Sequence, residues 1–265
     1  MVRTLLIRGL IAGLLAGVVG FGVARVLGEP QVNRAIGFES YVEYNVRHEP
    51  PEKALVSRAT QSSYGLGTGT LLFGTALGGI FALVFAFNYG RLAPFRARGT
   101  ALLIGALGLL GAYVVPILKY PANPPSIGDP DTIGKRTGLY LLMVLASVVS
   151  LMVAVRIRRT VIDRWGSWNA TLVAVGFYAV LIGIFYVALP GVNEVPQQGI
   201  HGLINAVVPA DRTTFPPVVL WRFRVASLAI EAAMWATIAL VFGALAEKVV
   251  DRPAAGPIDL AGSLS

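Results

Sequence analysis

The sequence has 265 residues, of which 55% are hydrophobic and 14% are charged, and its mean hydropathy is +0.68. This composition excludes an ordinary soluble domain and predicts an integral membrane protein in contact with lipid. Cysteine is absent and only two histidines are present, so a metal ion would need imidazole, carboxylate or backbone oxygen ligands. The net charge of +8 favours loop charges that set membrane orientation, and no nucleic acid partner is expected.

Six apolar segments are long enough to cross a bilayer, whose core requires about 20 residues of helix. They cover residues 4–27, 66–89, 100–118, 138–155, 170–189 and 225–246. We interpret the first segment as an anchor and not as a cleaved signal peptide, because no small-x-small cleavage motif follows it. The sequence therefore predicts an all-α integral membrane protein with six transmembrane helices, in a single membrane domain over residues 1–265.

Arginines are concentrated in the connections between the second and third segments and between the fourth and fifth. Asp163 is the only acid in these connections, whose basic residues are Arg91, Arg96, Arg98, Arg156, Arg158, Arg159 and Arg164. By the positive-inside rule both connections are cytoplasmic, which places both termini in the cytoplasm. The remaining connections, 28–65, 119–137 and 190–224, are then extracytoplasmic, and they contain nine of the fourteen acids and both histidines.

Glycines recur at intervals of three or four residues. The repeats are Gly9, Gly13 and Gly17; Gly65 and Gly69; Gly74 and Gly78; and Gly105, Gly108 and Gly111. Such spacing places small residues on one helix face, where two backbones can approach closely. We interpret the repeats as packing within one bundle and not as a dedicated dimer interface, and they predict no oligomeric state.

A polar, proline-rich loop, residues 119–136, lies between the third and fourth segments. Prolines at positions 121, 124, 125 and 130 restrict φ and exclude regular helix, which predicts an ordered, rigid lip at the outer surface. Gly128 and Gly134 do not form a phosphate-binding loop, because their spacing is too long and Arg136 stands where that motif needs Ser or Thr. The sequence has no other nucleotide or hydrolase motif, so neither ATP hydrolysis nor another enzymatic activity is expected.

Glu231 is the only acidic residue well inside a predicted span. A carboxylate at this depth is costly unless it is protonated, paired or in contact with water. Two interpretations stay open. One is a structural ion pair with Arg224, Arg222 or Arg25, and the other is a role in an ion or proton path.

Candidate metal ligands are distributed over the three outer connections. A His48–Glu49 pair can ligate a divalent cation, and His201, Asp129 and Asp131 add imidazole and carboxylate from other connections. Single histidines in exposed loops are mostly solvated. A metal site is therefore expected only if these groups converge.

The loop motif Lys119-Tyr-Pro-Ala-Asn-Pro-Pro125, followed by Gly128-Asp-Pro-Asp-Thr-Ile-Gly134 and Arg136-Thr137, closely resembles the signature of the predicted cobalt transporter family CbtA. Three further segments resemble other landmarks of the family and occur in the same order. They are Ser57-Arg-Ala-Thr-Gln61, Leu189-Pro-Gly-Val-Asn-Glu-Val-Pro196 and Phe215-Pro-Pro-Val-Val-Leu-Trp-Arg-Phe-Arg224. The resemblance covers nearly the whole chain.

The resemblance implies a bacterial inner-membrane protein that takes part in cobalt uptake beside a small, single-span subunit that carries histidines. Members often have a histidine-rich run in the first outer loop, where this chain has only His48. The resemblance therefore implies that carboxylates, or a partner's histidines, do more of the metal binding. Cobalt is then transported cargo, and no permanently bound cofactor is expected.

These observations lead to the hypothesis of a multi-pass transporter subunit whose outer loops form a cap over a vestibule. A divalent cation is attracted by Asp129, Asp131, Glu194 and His48 and then passes inward near Glu231. Lys119 and Arg136 are expected to pair with the aspartates or to hold the loop to helix ends. The residues of the path or the loop motif are Lys119, Tyr120, Pro121, Asn123, Pro124, Pro125, Asp129, Asp131, Arg136, Glu194, Arg224 and Glu231, and the candidate metal ligands are His48, Glu49, Asp129, Asp131 and His201.

The alternative hypothesis is a structural or assembly protein of the membrane that transports nothing and uses its outer loops as a docking surface. The few polar groups within the spans and the scarcity of histidine favour it. A stable co-purifying partner, together with no metal binding, would distinguish it from the transporter.

Overall fold

A computed structural model describes residues 1–48, 55–92, 94–125, 127–128, 132–192 and 215–251 of the chain. Within these ranges the regular structure is helical and contains no strand, which confirms the all-α prediction. The α-helices are α1 (Val2–Val23), α2 (Glu29–Val42), α3 (Arg58–Thr60), α4 (Leu66–Asn88), α5 (Ala97–Leu109), α6 (Val115–Lys119), α7 (Ile133–Ala188) and α8 (Pro217–Val250). Short π-helical segments occur at Ala24–Gly28, Glu43–Arg47, Gln61–Gly65 and Leu110–Val114.

Five helices in the described part of the chain are long and apolar enough to cross a membrane. They cover Val2–Asn45, Arg58–Asn88, Ala97–Lys119, Ile133–Ala188 and Pro217–Val250. Six separate spans were expected, and the difference arises because α7 contains both the fourth and the fifth predicted segments. The number of membrane crossings and the orientation of the termini stay predictions.

α7 folds back on itself at Gly166, where the backbone leaves the helical region with φ 73° and ψ 166°. The hydroxyl oxygens of Ser147 and Tyr178 lie 2.8 Å apart although 31 residues separate them along the chain. A straight helix would hold them about 46 Å apart. Arg158, before the turn, donates to the hydroxyl of Thr171 beyond it at 3.0 Å. Glycine adopts a positive φ without a steric penalty, so the reversal occurs at this residue.

The first long helix extends well beyond the predicted span, so the connection expected to begin at residue 28 starts as helix, and its place outside the membrane stays a prediction. The π-helical segment Ala24–Gly28 ends two residues before Pro30, and Leu110–Val114 ends two residues before Pro116. Local π geometry can satisfy the backbone groups that a proline leaves without a partner. The helix therefore continues past Pro30 to His48, which ends it with a left-handed φ of 54°.

Close packing of α1 against α4 depends on facing glycines. A Cβ atom added at Gly13, Gly74 or Gly78 would lie closer than 3.0 Å to backbone atoms of the opposite helix. Gly69, by contrast, has no such neighbour within 4 Å. The repeats at 9–17 and 74–78 thus pack within one bundle, as predicted, whereas Gly69 does not contribute to this contact.

An aromatic core joins α4 to α8. Phe242 makes edge-to-face contacts with Phe81 and Phe85, with ring centroids 5.4 and 5.0 Å apart. Met234 and Ile238, on the same helix as Phe242, are also buried. This core fixes the position of α8, which carries Glu231.

The helix Ala97–Lys119 connects two chemically different ends of the bundle. One end contains the arginines at 91–98 together with Glu247 and Asp251, and we call it the basic end. There Arg98 forms an ion pair with Glu247 at 2.6 Å. Asp251 accepts a hydrogen bond from the backbone N–H of Ala97 at 3.0 Å and another from the hydroxyl of Tyr89. The loop end, defined by residues 119–125 and the first turns of α8, lies about 33 Å away along that helix.

Candidate functional site

The loop motif is attached to the end of α7 by its first two residues. The ammonium of Lys119 donates to the carbonyl of Tyr186 at 2.7 Å and lies 5.9 Å from the ring centroids of both Tyr120 and Tyr186. The hydroxyl of Tyr120 donates to the carbonyl of Pro190 at 2.8 Å, and burial raises the pKa of this phenol. Lys119 therefore holds the loop to a helix end, which is one of the two roles expected for it.

Arg224 attaches the same loop to α8. Its guanidinium donates to the carbonyl of Ala122 at 3.3 Å and to the side-chain oxygen of Asn123 at 3.1 Å. At the start of α7, a guanidinium nitrogen of Arg136 lies 3.5 Å from the carbonyl oxygen of Ile127. Basic side chains thus hold the loop motif against both α7 and α8.

A cavity of about 320 Å³ lies under this loop. Its volume falls within the range of small-ligand sites, about 300–1,000 Å³. Five of the residues assigned from the loop motif and the last family landmark meet in its wall: Tyr120, Pro121, Asn123, Arg136 and Arg224. Two phenols from the flanking helices, Tyr113 and Tyr140, complete the polar part of the wall together with Thr137.

Glu231 is half-buried in α8 and interacts with neutral groups. Its carboxyl group accepts a hydrogen bond from the indole of Trp235, and it interacts electrostatically with the phenols of Tyr113 and Tyr140. Both phenols line the cavity, whereas Glu231 is not among its lining residues. The sequence interpretation missed Tyr113 and Tyr140. The only available signal was a phenol in each span beside the loop motif, and interfacial anchors produce the same pattern.

The ion pair that the sequence left open for Glu231 is not formed among the described residues. Arg25 donates to the carbonyl of Ser62 at 3.1 Å. Arg224 is engaged with the loop, and Arg222 is exposed. The carboxyl group of Glu231 therefore has no cationic partner in the described part of the chain.

Glu29 is one of the nine acids in the predicted outer connections. It is buried and forms an ion pair with Arg58, which belongs to a family landmark. Arg58 also donates to the side chain of Asn33 at 3.0 Å. This acid therefore fastens α2 to α3 and is engaged in packing.

Four of the five candidate metal ligands lie outside the described residues: Glu49, Asp129, Asp131 and His201. Glu194, which was assigned to the ion path, also lies outside them. His48 is described and exposed at the end of its helix. Within the described ranges no group of three or more His, Asp or Glu side chains is placed to hold a metal ion. Convergence of the outer ligands stays a prediction.

A comparison with protein-family models matches residues 2–247 to the family described as "Probable cobalt transporter subunit (CbtA)". The chain belongs to the CbtA family. The match confirms the resemblance seen in the loop motif, and comparisons with curated proteins and with solved structures give no match. Together with the five apolar helices, CbtA membership points to a multi-pass membrane protein, and the family's description is that of a probable cobalt transporter subunit. The word subunit implies a partner in the transporter complex.

Proposed function

We propose that this CbtA-family protein is the membrane subunit through which Co²⁺, or a similar divalent cation, enters the cell, and that it does not itself hydrolyse ATP. The cavity under the loop motif carries the proposal, because two phenols of its wall, Tyr113 and Tyr140, interact electrostatically with the carboxyl group of Glu231 in α8. Ionisable residues within a membrane usually face a bundle interior or a water-filled cavity and mark ion paths. The cation is cargo on this path and not a permanently bound cofactor.

The proposed topology has six crossings, with both termini in the cytoplasm of a bacterial cell and the loop end outside. The fold-back at Gly166 supports two crossings within α7, since its limbs, 133–165 and 167–188, are each long enough to span a bilayer. The arginines at 156–164 lie beside that turn, and those at 91–98 lie at the basic end. The positive-inside rule then orients both toward the cytoplasm.

Entry of the cation depends on the outer acids. The guanidinium groups of Arg136 and Arg224 repel a cation in the cavity, so Asp129, Asp131 and Glu194 are proposed to offset them. His48 adds an imidazole at the mouth of the path. A hydrated cation loses water in steps and needs successive oxygen or imidazole ligands, and the phenol and amide oxygens of the cavity wall supply neutral ones.

Metal capture before entry is assigned to the partner. The family resemblance implies a small, single-span subunit that carries histidines, and this chain contributes only two histidines of its own. An imidazole-rich site on the partner would bind Co²⁺ more strongly than carboxylates do. The partner is proposed to deliver the ion to the loop end.

Uptake of radioactive cobalt by cells tests the proposal. Asp129→Asn and Glu231→Gln are each expected to reduce uptake, whereas Glu247→Gln, a matched loss of a carboxyl group from the basic end of α8, is expected to leave it unchanged. Membrane levels of each variant are measured in parallel. Unchanged uptake in both Asp129→Asn and Glu231→Gln, at normal expression, would contradict the proposal.

A non-transporting assembly protein is the second candidate. One observation favours it: the described wall of the cavity contains two arginines and no carboxylate. That charge suits an acidic docking segment of a partner better than a cation. Stable co-purification of a partner, combined with no Co²⁺ binding by calorimetry, is the result expected for this candidate and not for the transporter.

A further inference from the structure

Near the turn of α7 lies a cationic side chain whose donors are not satisfied. Two nitrogens of Arg159, Nε and Nη2, are buried and have no hydrogen-bond partner within the described part of the chain. The adjacent Arg158 is satisfied, since it donates across the turn to the hydroxyls of Thr171 and Ser167 at 3.0 and 3.1 Å. Buried guanidinium donors without an acceptor are unfavourable, and such groups in native proteins indicate that a bound water or ion supplies the acceptor.

The charges around Arg159 favour an anion as this acceptor. Asp163 is the only acid of this connection and lies one helical turn beyond Arg159, but it does not accept from the two buried nitrogens. Arg156 and Arg164 are exposed on the two sides and add further positive charge. An anion is therefore attracted to this group of cations more strongly than a neutral water is.

The position of the turn indicates that the anion belongs to a lipid. In the proposed topology both limbs of α7 cross the bilayer, and their apolar parts, 138–155 and 170–189, end on either side of these residues. The turn then lies at the level of the lipid phosphates. Trp165 and Trp168 are 53% and 75% exposed at this turn, and exposed tryptophan is typical of the headgroup layer.

We propose that Arg159 binds the phosphodiester of an anionic phospholipid at the turn of α7. A planar guanidinium matches a phosphate through two parallel hydrogen bonds, and the long aliphatic part of the side chain lets it reach the phosphate layer. The exposed arginines nearby contribute only long-range attraction. This site is separate from the cavity under the loop motif. It rests on the proposed crossings of α7 and not on which ion is transported.

Thermal unfolding of the full chain in detergent, with and without added phosphatidylglycerol, tests this site. Without lipid, Arg159→Gln is expected to unfold at the same temperature as wild type or a higher one, because it removes a buried charge that has no acceptor. With phosphatidylglycerol, wild type is expected to unfold at a higher temperature, whereas Arg159→Gln should show little of this increase. Arg156→Gln, which removes an exposed arginine three residues earlier, is the matched control and should keep the increase.

A structural role alone gives a different result in the same experiment. If Arg159→Gln lost the same stability with and without phosphatidylglycerol, Arg159 would act in packing and the proposal would be wrong. Inorganic phosphate is the second probe, because it carries the anionic group without acyl chains. If phosphate alone stabilised wild type as much as phosphatidylglycerol does, the site would take a free anion and the assignment to lipid would be wrong.

Native mass spectrometry of the same proteins measures the binding of individual lipids. We expect Arg159→Gln to bind its first phosphatidylglycerol about tenfold more weakly than wild type, because a charge-assisted contact is lost. Arg159→Lys keeps the charge but lacks the planar fork, so it should also bind more weakly, and it replaces Arg159→Gln if that variant does not fold. Equal binding by wild type and either variant would overturn the proposal.

Discussion

The two ends of the bundle use charged side chains in opposite ways. At the basic end, carboxylates are engaged by strong donors: Glu247 by Arg98, and Asp251 by Tyr89 and a backbone N–H. At the loop end, cations are engaged by neutral acceptors, as when Lys119 donates to a backbone carbonyl. The carboxylates of the basic end therefore hold helices together, whereas Glu231, beneath the loop end, has neutral partners.

Because of this difference, we expect the residues that matter for stability and those that matter for uptake to lie at opposite ends of the molecule. A carboxylate held by a cation or by several donors has no reason to change its protonation or its ligand during function. Glu231 has no cationic partner among the described residues, so its substitution breaks no ion pair there. Substitutions at the basic end should therefore affect folding, and substitutions at the loop end should affect uptake.

The largest effect is expected for Arg224→Ala, which removes the two hydrogen bonds that this residue of α8 donates to the loop. Hydrogen bonds from a charged donor each contribute about 1.5–3 kcal/mol, and a loss of 1.4 kcal/mol corresponds to about tenfold. We expect cobalt uptake, normalised to the amount of protein in the membrane, to fall by about tenfold or more. Arg222→Ala, an exposed arginine on the same helix, is the control, and an equal loss in the two variants would contradict the assigned role.

A smaller effect, confined to stability, is expected for Asp251→Asn at the basic end. The hydrogen bonds from Tyr89 and from the N–H of Ala97 lower the pKa of the Asp251 carboxyl below its usual range, against the opposing effect of burial. The stabilisation is therefore complete above the unfolded pKa, about 3.9, and is lost as pH falls through the lower folded pKa.

Thermal unfolding in detergent measures this effect across that pH range. Asp251→Asn is expected to lose about 1–2 kcal/mol at neutral pH and to show a weaker acid dependence than wild type. Asp163→Asn, an exposed aspartate at the turn of α7, serves as the matched control. If Asp251→Asn reduced cobalt uptake per folded molecule, the expectation that the basic end affects only stability would be wrong.

The smallest effect is expected for Tyr120→Phe, which removes one neutral hydrogen bond from the loop motif to Pro190. Such a bond contributes about 0.5–1.5 kcal/mol, so unfolding in detergent should occur at a slightly lower temperature. Tyr64→Phe, at an exposed tyrosine, should leave stability unchanged. A loss of stability as large as that of Asp251→Asn would mean that the loop end contributes more to folding than its contacts suggest.

Local sequence features predicted several parts of this architecture correctly. Apolar length identified the helical segments, and the glycine spacing predicted close packing within one bundle, which α1 and α4 show. The contiguous loop motif pointed to the CbtA family. These features depend on neighbouring residues along one chain segment, so composition and spacing are sufficient to detect them.

Helix ends and helix continuity were less predictable. Pro30 is compatible with a helix end, and only the π geometry before it permits the helix to continue. The reversal at Gly166 joins two segments through a single residue, and the 30 glycines of the sequence gave no sign that this one has a positive φ. The partner of a charged side chain could not be predicted from the sequence either. Arg224 lies two turns from Glu231 on the same helix, yet it contacts residues 122 and 123.

The sequence by itself determined that this protein is helical, enters a membrane and belongs to the CbtA family, because hydrophobic length and a proline-rich motif are local properties. Tertiary structure decided that the motif roofs a cavity, that its cations bind backbone and amide oxygens, and that Glu231 accepts a hydrogen bond from an indole. Several of these contacts join distant residues, such as Arg224 and Asn123, which are 101 positions apart. Such contacts form only because α8 packs against α5, and α7 packs against the far end of the same helix, Leu110–Lys119.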